Sequence, residues 1–197
     1  PVNKYINILH VADLKGGMCL GWTLPVLTTD RLTLRAVTMD DAEAMFEYSS
    51  NDNVSRYVLW ETHQTLEDAK AFIEMAIEAY EMRDFYHWGI EYNGQFIGTI
   101  DYVGLNEYSG MGEIGYVLSG DYWNKGLVTE AAKRIIDFGF DELGLVRIQA
   151  RCIAENIASS RVMEKCGMKF EGTLRKSMLV KGTHRDINMY AIIDDDR

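Results

Sequence analysis

Residues Trp123 to Ala132 read WNKGLVTEAA, and they join a strand to a helix. The strand before them, Glu113 to Leu118, is short, and Gly126 stands where the helix begins, near Leu127. A turn between a strand and a helix brings unpaired backbone N–H groups and the positive end of a helix dipole to one point. We therefore expect an anion site at this turn, although a glycine-relieved loop before an ordinary amphipathic helix has the same pattern.

The composition of the turn suits a pyrophosphate. Gly126 lets the backbone approach a ligand with no Cβ in the way, and the hydroxyl of Thr129 adds a hydrogen bond. The glycines Gly110, Gly112 and Gly115 have the spacing of a dinucleotide-binding fingerprint, but they precede a strand where that fingerprint must follow one. The sequence lacks the nucleotide-triphosphate loop G-x-x-x-x-G-K-[ST].

Outward from this turn, hydrophobic periodicity predicts a mixed α+β fold with the order β-α-α-β-β-β-α-β-α-β-β. Capping signals at Thr38 and Thr65, each followed three residues later by an aspartate, begin two helices between about residues 39 and 82. Asn93-Gly94 predicts a two-residue hairpin. Strands are expected at about residues 31–36, 86–92, 95–104, 113–118, 146–152, 168–175 and 185–193, and later helices at about 127–139 and 156–166.

Composition limits the kind of protein. The chain has 197 residues, 47% of them hydrophobic, which is enough for one well-packed domain. Its formal net charge of -10 argues against nucleic-acid binding, because a phosphate backbone requires clustered Lys and Arg. The acidic balance suits a basic partner such as a polyamine, an aminoglycoside or a basic protein N-terminus, although it also serves solubility alone.

Cysteine usage and hydropathy predict the compartment. Cys19, Cys152 and Cys166 are an odd number at irregular spacing, so they indicate neither a disulfide scaffold nor a zinc ribbon. His63 and His184 also lack metal-ligand spacing, and we expect no metal. Without a signal-peptide core or a run of ~20 apolar residues, we expect a cytoplasmic protein that does not enter a membrane.

Two segments carry a family resemblance. Residues 112–131, GEIGYVLSGDYWNKGLVTEA, and residues 155–172, ENIASSRVMEKCGMKFEG, resemble the GNAT superfamily, and closely its Rim-type branch of ribosomal-protein N-terminal acetyltransferases. The resemblance covers about residues 27–193. It implies a central twisted, mostly antiparallel sheet that splays between strands 4 and 5 and is flanked by helices. The GNAT domain is then 27–197, after an N-terminal extension, 1–26, of unknown role.

The resemblance also implies acetyl-CoA as the cosubstrate and assigns residues to it. The pyrophosphate loop corresponds to Asn124, Lys125, Gly126, Leu127, Val128 and Thr129, which act mainly through backbone N–H groups. Asn124 stands where glycine is usual, Val128 where a small residue is usual, and Trp123 where Gln or Arg is common. From these departures we expect weaker or re-angled CoA contacts.

In the family, pantetheine pairs with the exposed backbone of a strand end, here Tyr116, Val117 and Leu118. Asn156 corresponds to the residue that binds the CoA arm, and asparagine there also caps a helix well. Backbone N–H groups near Val117 and Leu118 would polarise the thioester carbonyl.

The catalytic side chains are less well defined. Glu113 is the candidate base for the amine proton, or an exposed strand carboxylate with no catalytic role. Many relatives protonate the departing thiolate with a tyrosine, but Met163 stands at that position; the Rim-type candidate is Ser159, which can equally bond backbone in the first helical turn. Cys152 either carries an acetyl group or a mixed disulfide, or is a small core residue.

The implied acceptor is a primary amine, either of a small molecule or of a peptide N-terminus. Tyr57, Trp60, Trp88 and Tyr92 are candidate lining residues of the acceptor site, or else core aromatics. A homodimer is compatible with the sequence. The departures at Asn124, Val128 and Met163 leave a noncatalytic acetyl-CoA-binding sensor as an alternative, and an O-acyltransferase is a third reading.

Overall fold

The computed structural model of the protein describes residues 23–81 and 85–197. Eight strands form one sheet in this part of the chain. They are β1 (Leu27–Thr28), β2 (Leu32–Arg35), β3 (His87–Tyr92), β4 (Gln95–Asn106), β5 (Met111–Leu118), β6 (Arg147–Ile153), β7 (Lys169–Val180) and β8 (Thr183–Ile193). The helices are α1 (Ala42–Ser49), α2 (Asp52–Ser55), α3 (Leu66–Tyr80), α4 (Leu127–Asp141) and α5 (Ile157–Lys165).

Local signals produce most of these boundaries. Asp41 accepts a hydrogen bond from the Thr38 N–H (2.8 Å), and Asp68 one from the Thr65 N–H (2.9 Å), as capping boxes require. The turn between β3 and β4 has two residues with positive φ, Asn93 (51°) and Gly94 (75°), as in a tight hairpin. The predicted order is confirmed, with two additions: the two-residue β1 and the single-turn helix α2.

The order of strands across the sheet is β1-β2-β3-β4-β5-β6-β8-β7. Every neighbouring pair is antiparallel except β5 and β6, which are parallel. Their pairing ends at Ile114 with Ala150, although β5 continues to Leu118 and β6 to Ile153. These two strands are the fourth and fifth of the predicted order, so the predicted splay is confirmed. We call this opening between β5 and β6 the fork.

Helices cover both faces of the sheet. On one face α4 and α5 pack over apolar side chains that include Ile114, Leu118 and Ile148. On the other face α1 and α3 pack over a second cluster, against which Val117 lies. Because side chains alternate along a strand, successive residues of β5 at the fork face the two layers in turn.

The predicted extension, residues 1–26, lies mostly outside the described residues. Of its last residues, Leu24 packs against the core beneath α4, and the carbonyl of Pro25 accepts a hydrogen bond from the Trp88 indole (2.8 Å). Among the helices of residues 23–81 and 85–197, none is long and apolar enough to cross a membrane.

Candidate active site

The backbone of β5 presents its polar groups to the fork. The Ser119 N–H donates to the Ile97 carbonyl of β4 (2.8 Å), which sets the alternation along the strand. By that alternation the backbone groups of Val117 face β4, whereas those of Tyr116 and Leu118 face the fork. The N–H groups that can meet a ligand are thus those of Tyr116 and Leu118; of the expected pair, Val117 and Leu118, the Val117 N–H faces β4 instead.

The turn before α4 has the free donors expected of an anion site. In the described part of the chain, no protein acceptor meets the N–H groups of Leu127, Val128 and Thr129, and the first bond of the helix runs from the Glu130 N–H to the Gly126 carbonyl (3.0 Å). These groups and the helix dipole favour a negative ligand. The predicted loop therefore fits a pyrophosphate.

The β1–β2 turn braces this loop. Glu130 in the first turn of α4 accepts hydrogen bonds from the Thr29 hydroxyl (2.5 Å) and the Arg31 Nε (2.7 Å). Arg31 Nη1 also donates to the Lys125 carbonyl (3.1 Å). Burial disfavours the carboxylate of Glu130, but these hydrogen bonds outweigh it and lower the pKa of Glu130. The carboxylate thus stays charged and holds the loop at neutral pH.

Asn124 keeps the conformation for which glycine is usual. Its φ is 61°, in the left-handed region, which asparagine tolerates better than most residues. Trp123 turns back, and its indole Nε1 donates to the Leu118 carbonyl (2.8 Å). Asn124 thus adopts the left-handed conformation without being glycine, whereas the effect of the substitutions on CoA affinity stays a prediction.

Asn156 caps α5, as the simpler interpretation of this residue expected. Its side-chain oxygen accepts the Ser159 N–H (3.2 Å), which leaves the amide NH₂ without a protein acceptor in the described residues. Ser159 in turn contacts β5: its Oγ lies 2.9 Å from the Tyr116 hydroxyl. The start of α5 thus brings three of the predicted residues together at the base of the fork.

Two residues near this pair are buried. Met163, at the position of the expected tyrosine, belongs to the core beneath α4 and α5. Cys152 lies 3.3 Å from the Ser160 hydroxyl, and burial raises the pKa of its thiol. A buried thiol that resists ionisation is a poor nucleophile, which favours the core role of Cys152.

Glu113 lies on β5 below the point where the strands part. Its Oε1 pairs with Arg151 Nε (2.7 Å), and its Oε2 accepts a hydrogen bond from Gln149 Nε2 (2.8 Å). Both partners are on β6, so the carboxylate bridges the two strands. To take a proton from an amine, Glu113 would have to give up one of these contacts.

A small cavity opens on the α1/α3 side of the fork. It measures about 40 Å³ and reaches Val117. The remaining lining residues are Met45, Tyr48, Ser49, Trp60, His63, Phe72 and Thr99. His63 Nδ1 lies 2.8 Å from the Ser49 hydroxyl, and burial lowers the pKa of His63, so its ring is neutral near pH 7.

The four aromatic residues proposed for the acceptor site have different positions. Trp60 lines the cavity, and Tyr57 packs nearby against Ile153 of β6. Trp88 and Tyr92 are core aromatics, the other interpretation of these two residues: Trp88 is fully buried beneath α4, and Tyr92 packs on that same face. Alternation in a strand shows that two faces exist but not which one meets the substrate.

The cavity on the α1/α3 side of the fork is also lined by residues that the sequence did not predict. Tyr48, His63 and Phe72 come from α1, α3 and their connection, where helical periodicity gives no sign of a cavity. The Lys181 ammonium, at the β7–β8 turn, donates to the Ser55 carbonyl of α2 (2.8 Å). The final hairpin and α2 are thereby tied together beside the cavity.

An opening between two parallel strands, with free N–H donors at a helix start beyond it, is the arrangement expected of a transferase that uses an acyl-CoA. Comparison with known proteins gives the particular family: residues 31–169 match the acetyltransferase (GNAT) domain, and the chain belongs to that family. GNAT acetyltransferases take their acetyl group from acetyl-CoA, which is the cosubstrate of this enzyme.

Individual relatives agree with the family. The uncharacterized N-acetyltransferase YoaA of Bacillus subtilis (strain 168) is 39% identical over 171 residues, 86% of this chain and 97% of its own. A GNAT-family acetyltransferase from Bacillus anthracis has a crystal structure with a TM-score of 0.78 and 32% identity, covering 87% of this chain and 99% of its own. The spermidine N(1)-acetyltransferase of Escherichia coli (strain K12) is 26% identical over 153 residues, 78% of this chain and 81% of its own.

Proposed function

We propose that this enzyme transfers the acetyl group of acetyl-CoA directly to a primary amine, with no acetyl-enzyme intermediate. The main support for the proposal is the fork, where the N–H groups of Tyr116 and Leu118 face a gap with no strand partner. The free N–H donors before α4 lie beyond this gap along the chain. The Tyr116 N–H is suited to hold the thioester oxygen, and the Leu118 N–H to pair with the pantetheine arm.

Direct transfer needs a neutral amine, a donor for the oxyanion and an acid for the thiolate. The amine nitrogen bonds to the carbonyl carbon and loses a proton to a base, and the carbon–sulfur bond breaks. The thiolate then takes a proton, so that an N-acetyl product and free CoA thiol leave. Burial raises the pKa of the Cys152 thiol, which supports a route that forms no acetyl-cysteine thioester.

Ser159 is the proposed acid for the thiolate. Its hydroxyl and that of Tyr116 form a pair 2.9 Å apart, and burial raises the pKa of Tyr116, so the phenol keeps its proton. Tyr116 therefore stays protonated beside Ser159, which recovers its own proton from water after the transfer. The pair supplies the hydroxyl that Met163 lacks.

A primary amine on a flexible chain fits the acceptor side best. The cavity beside Val117 is about 40 Å³ and is walled by aromatic rings, so it admits a narrow group and not a branched one. A spermidine acetyltransferase stands among the relatives, and its substrate carries such amines. The formal net charge of -10 also favours a cationic acceptor.

An amine panel tests the proposal. The enzyme is mixed with acetyl-CoA and with spermidine, benzylamine or a hexapeptide with a free α-amine, and free thiol is measured against time. We expect release with at least one amine and an N-acetyl linkage in the product by mass spectrometry. Acetyl-CoA binding without thiol release for any amine would instead support a sensor, and an ester-linked product an O-acyltransferase.

Two neighbouring serines provide a matched control. Ser159→Ala should lower kcat about tenfold or more while acetyl-CoA affinity stays unchanged, because only the proton donor is lost. Ser160, on the same helix as Ser159, contacts Cys152 of β6, and Ser160→Ala should leave kcat within about twofold. Equal rates for both variants would remove Ser159 from the mechanism. Cys152→Ala should retain turnover.

A further inference from the structure

A carboxylate lies over the first residue of the fork. Asp101 of β4 pairs with Gly115 of β5, the residue directly after the last β5–β6 pair at Ile114. The Oδ1 atom of Asp101 lies 3.0 Å from where a Cβ of residue 115 would be. The carboxylate thus uses the space that the missing side chain of Gly115 leaves.

His87 holds this carboxylate in place. Its Nδ1 lies 3.1 Å from Asp101 Oδ2, and the ring is only 3% exposed, between Phe72 (5.6 Å between ring centroids) and Phe85 (5.7 Å). A carboxylate accepts only from a protonated nitrogen, so this contact assigns the proton to Nδ1. Asp101 Oδ1 has no partner among the described residues.

The free oxygen is on the side from which an acceptor arrives. Val117 and Gly115 share the α1/α3 face of β5, and the cavity reaches Val117 and also Phe72, which touches His87. Gly115 is bonded to Tyr116, whose N–H faces the fork. An amine that approaches a carbonyl held by that N–H therefore passes Asp101 Oδ1.

Glu113, unlike Asp101, has both carboxylate oxygens bonded to other side chains. Its two oxygens are taken by Arg151 and Gln149 of β6, and Glu113 pairs with Gln149 within the zipped part of the strands. This carboxylate fixes the base of the fork and has no free oxygen for an amine.

We propose that Asp101 is the catalytic base for the acceptor amine, that His87 positions it, and that Glu113 serves as a strap between β5 and β6. This inference rests on the proposed function. As the carbon–nitrogen bond forms, the amine proton passes to Asp101 Oδ1, while the thiolate takes its proton from Ser159. Asp101 then releases its proton to water and Ser159 regains one from water, which restores both residues.

The ionisable groups around Asp101 are few in the described residues. His87 faces it from β3, and Glu113 with Arg151 lies on the far side of Gly115. From α3, the Tyr80 hydroxyl donates to the His87 carbonyl (2.6 Å), and burial raises the pKa of Tyr80 to about 12. Tyr80 therefore stays neutral over the pH range of an assay.

Paired isosteric variants test the assignment. Asp101→Asn should lower kcat about 100-fold at pH 7, with the acetyl-CoA dissociation constant unchanged. The deficit should shrink toward pH 10, because the amine is then neutral without a base. Asp137→Asn, at an exposed carboxylate of α4 that pairs with Arg197 (3.4 Å), is the matched control and should change kcat less than about threefold at every pH. Equal kcat for Asp101→Asn and the wild type, or a larger loss in Glu113→Gln, would overturn the proposal.

The positioning role of His87 needs a measurement that would not change if His87 were only structural. His87→Phe removes the donor to Asp101, whereas His87→Gln keeps an amide N–H that can reach it, so Gln should restore much of kcat and of the pH profile. Equal kcat in both variants, at equal melting temperature, would contradict the positioning role. If Asp101→Asn does not fold, Asp101→Ser takes its place.

The wild-type control separates the two proposals. With spermidine, benzylamine and the hexapeptide as probes, no thiol release by the wild type refutes the proposed function and this inference together. Wild-type release that Asp101→Asn matches refutes the inference alone.

Discussion

At the scale of single residues, the turn before α4 depends on two left-handed backbone conformations. Asn124 has φ of 61° and Gly126 of 76°. Asparagine is the side chain that best tolerates this region, so Asn124 can replace a glycine there, but a β-branched residue cannot. Gly126 also precedes the free N–H groups of Leu127, Val128 and Thr129, which are the proposed donors for the pyrophosphate.

Replacing Gly126 should therefore weaken acetyl-CoA binding. Gly126→Val forces a strained φ at the site, and we expect about a tenfold or larger rise in the dissociation constant, measured by isothermal titration. Gly144 is the matched control, since its φ is 64°, it lies beyond α4, and its missing Cβ would meet open space. Gly144→Val should lose similar stability, about 1–3 kcal/mol, with unchanged affinity. Equal affinities would place the pyrophosphate elsewhere.

Residue roles were only partly predictable from the sequence. Motif spacing identified Gly126, Asn156 and Ser159, which the fold does bring to the fork and the turn beyond it, but their roles stay predictions. Asp101 escaped notice because its significance depends on β4 pairing with β5, which places it over Gly115. For Trp88 the sequence left the acceptor site and the core as alternatives, since only tertiary packing decides which face of a strand meets α4.

At the scale of elements, β5 has two different edges. Along its whole length it pairs with β4, but past Ile114 its other edge has no strand partner. The N–H of Val117 is thus protected within the sheet, whereas those of Tyr116 and Leu118 are not.

Hydrogen exchange should resolve this difference residue by residue. Without ligand, the Tyr116 and Leu118 amides should exchange much faster than the Val117 amide, because only Val117 donates within the sheet. Saturating acetyl-CoA should slow amide exchange at Tyr116 and Leu118 about tenfold or more and leave the exchange rate of Val117 nearly unchanged. Protection of Val117 instead would mean that the register of β5 differs in solution.

Element boundaries followed from local signals where those signals were strong. Capping boxes and the Asn93-Gly94 turn were sufficient for α1, α3 and the first hairpin. The predicted end of β7 near residue 175 was too early: the strand runs to Val180 through irregularities at Gly172 and Lys176, whose φ values are 150° and 51°. Pairing with β8 carries the strand across positions that locally resemble its end.

At the scale of the whole molecule, hydrogen-bonded carboxylates make stability depend on pH. Burial disfavours the charged form of Asp41, but hydrogen bonds from Arg35 (2.8 Å) and Thr38 prevail and lower its pKa. Glu130 shows the same balance: burial disfavours its charged form, but hydrogen bonds from Thr29 and Arg31 lower its pKa. A carboxyl whose pKa is lower folded than unfolded contributes stability above its unfolded pKa and loses it as pH falls through the folded value.

The free energy of unfolding should therefore be nearly constant around neutral pH and decrease below about pH 4, near the unfolded pKa values. Urea titrations at pH 7, 5, 4 and 3 would measure it. Asp41→Asn should lower stability at pH 7 by about 1–3 kcal/mol and flatten the acid decline, whereas Glu67→Gln, at a residue 75% exposed, should do neither. An unchanged acid slope in Asp41→Asn would exclude this linkage.

The fork has a further consequence for how the chain avoids aggregation. Unpaired strand backbone is a template for other chains, and proteins normally protect it at the outer margins of a sheet. Here the unpaired stretch from Gly115 to Leu118 lies in the interior of an eight-stranded sheet, between helical layers on both faces. The helical layers on its two faces therefore hinder other chains from pairing with this stretch, which protects it as a covered edge is protected at the margin of a sheet.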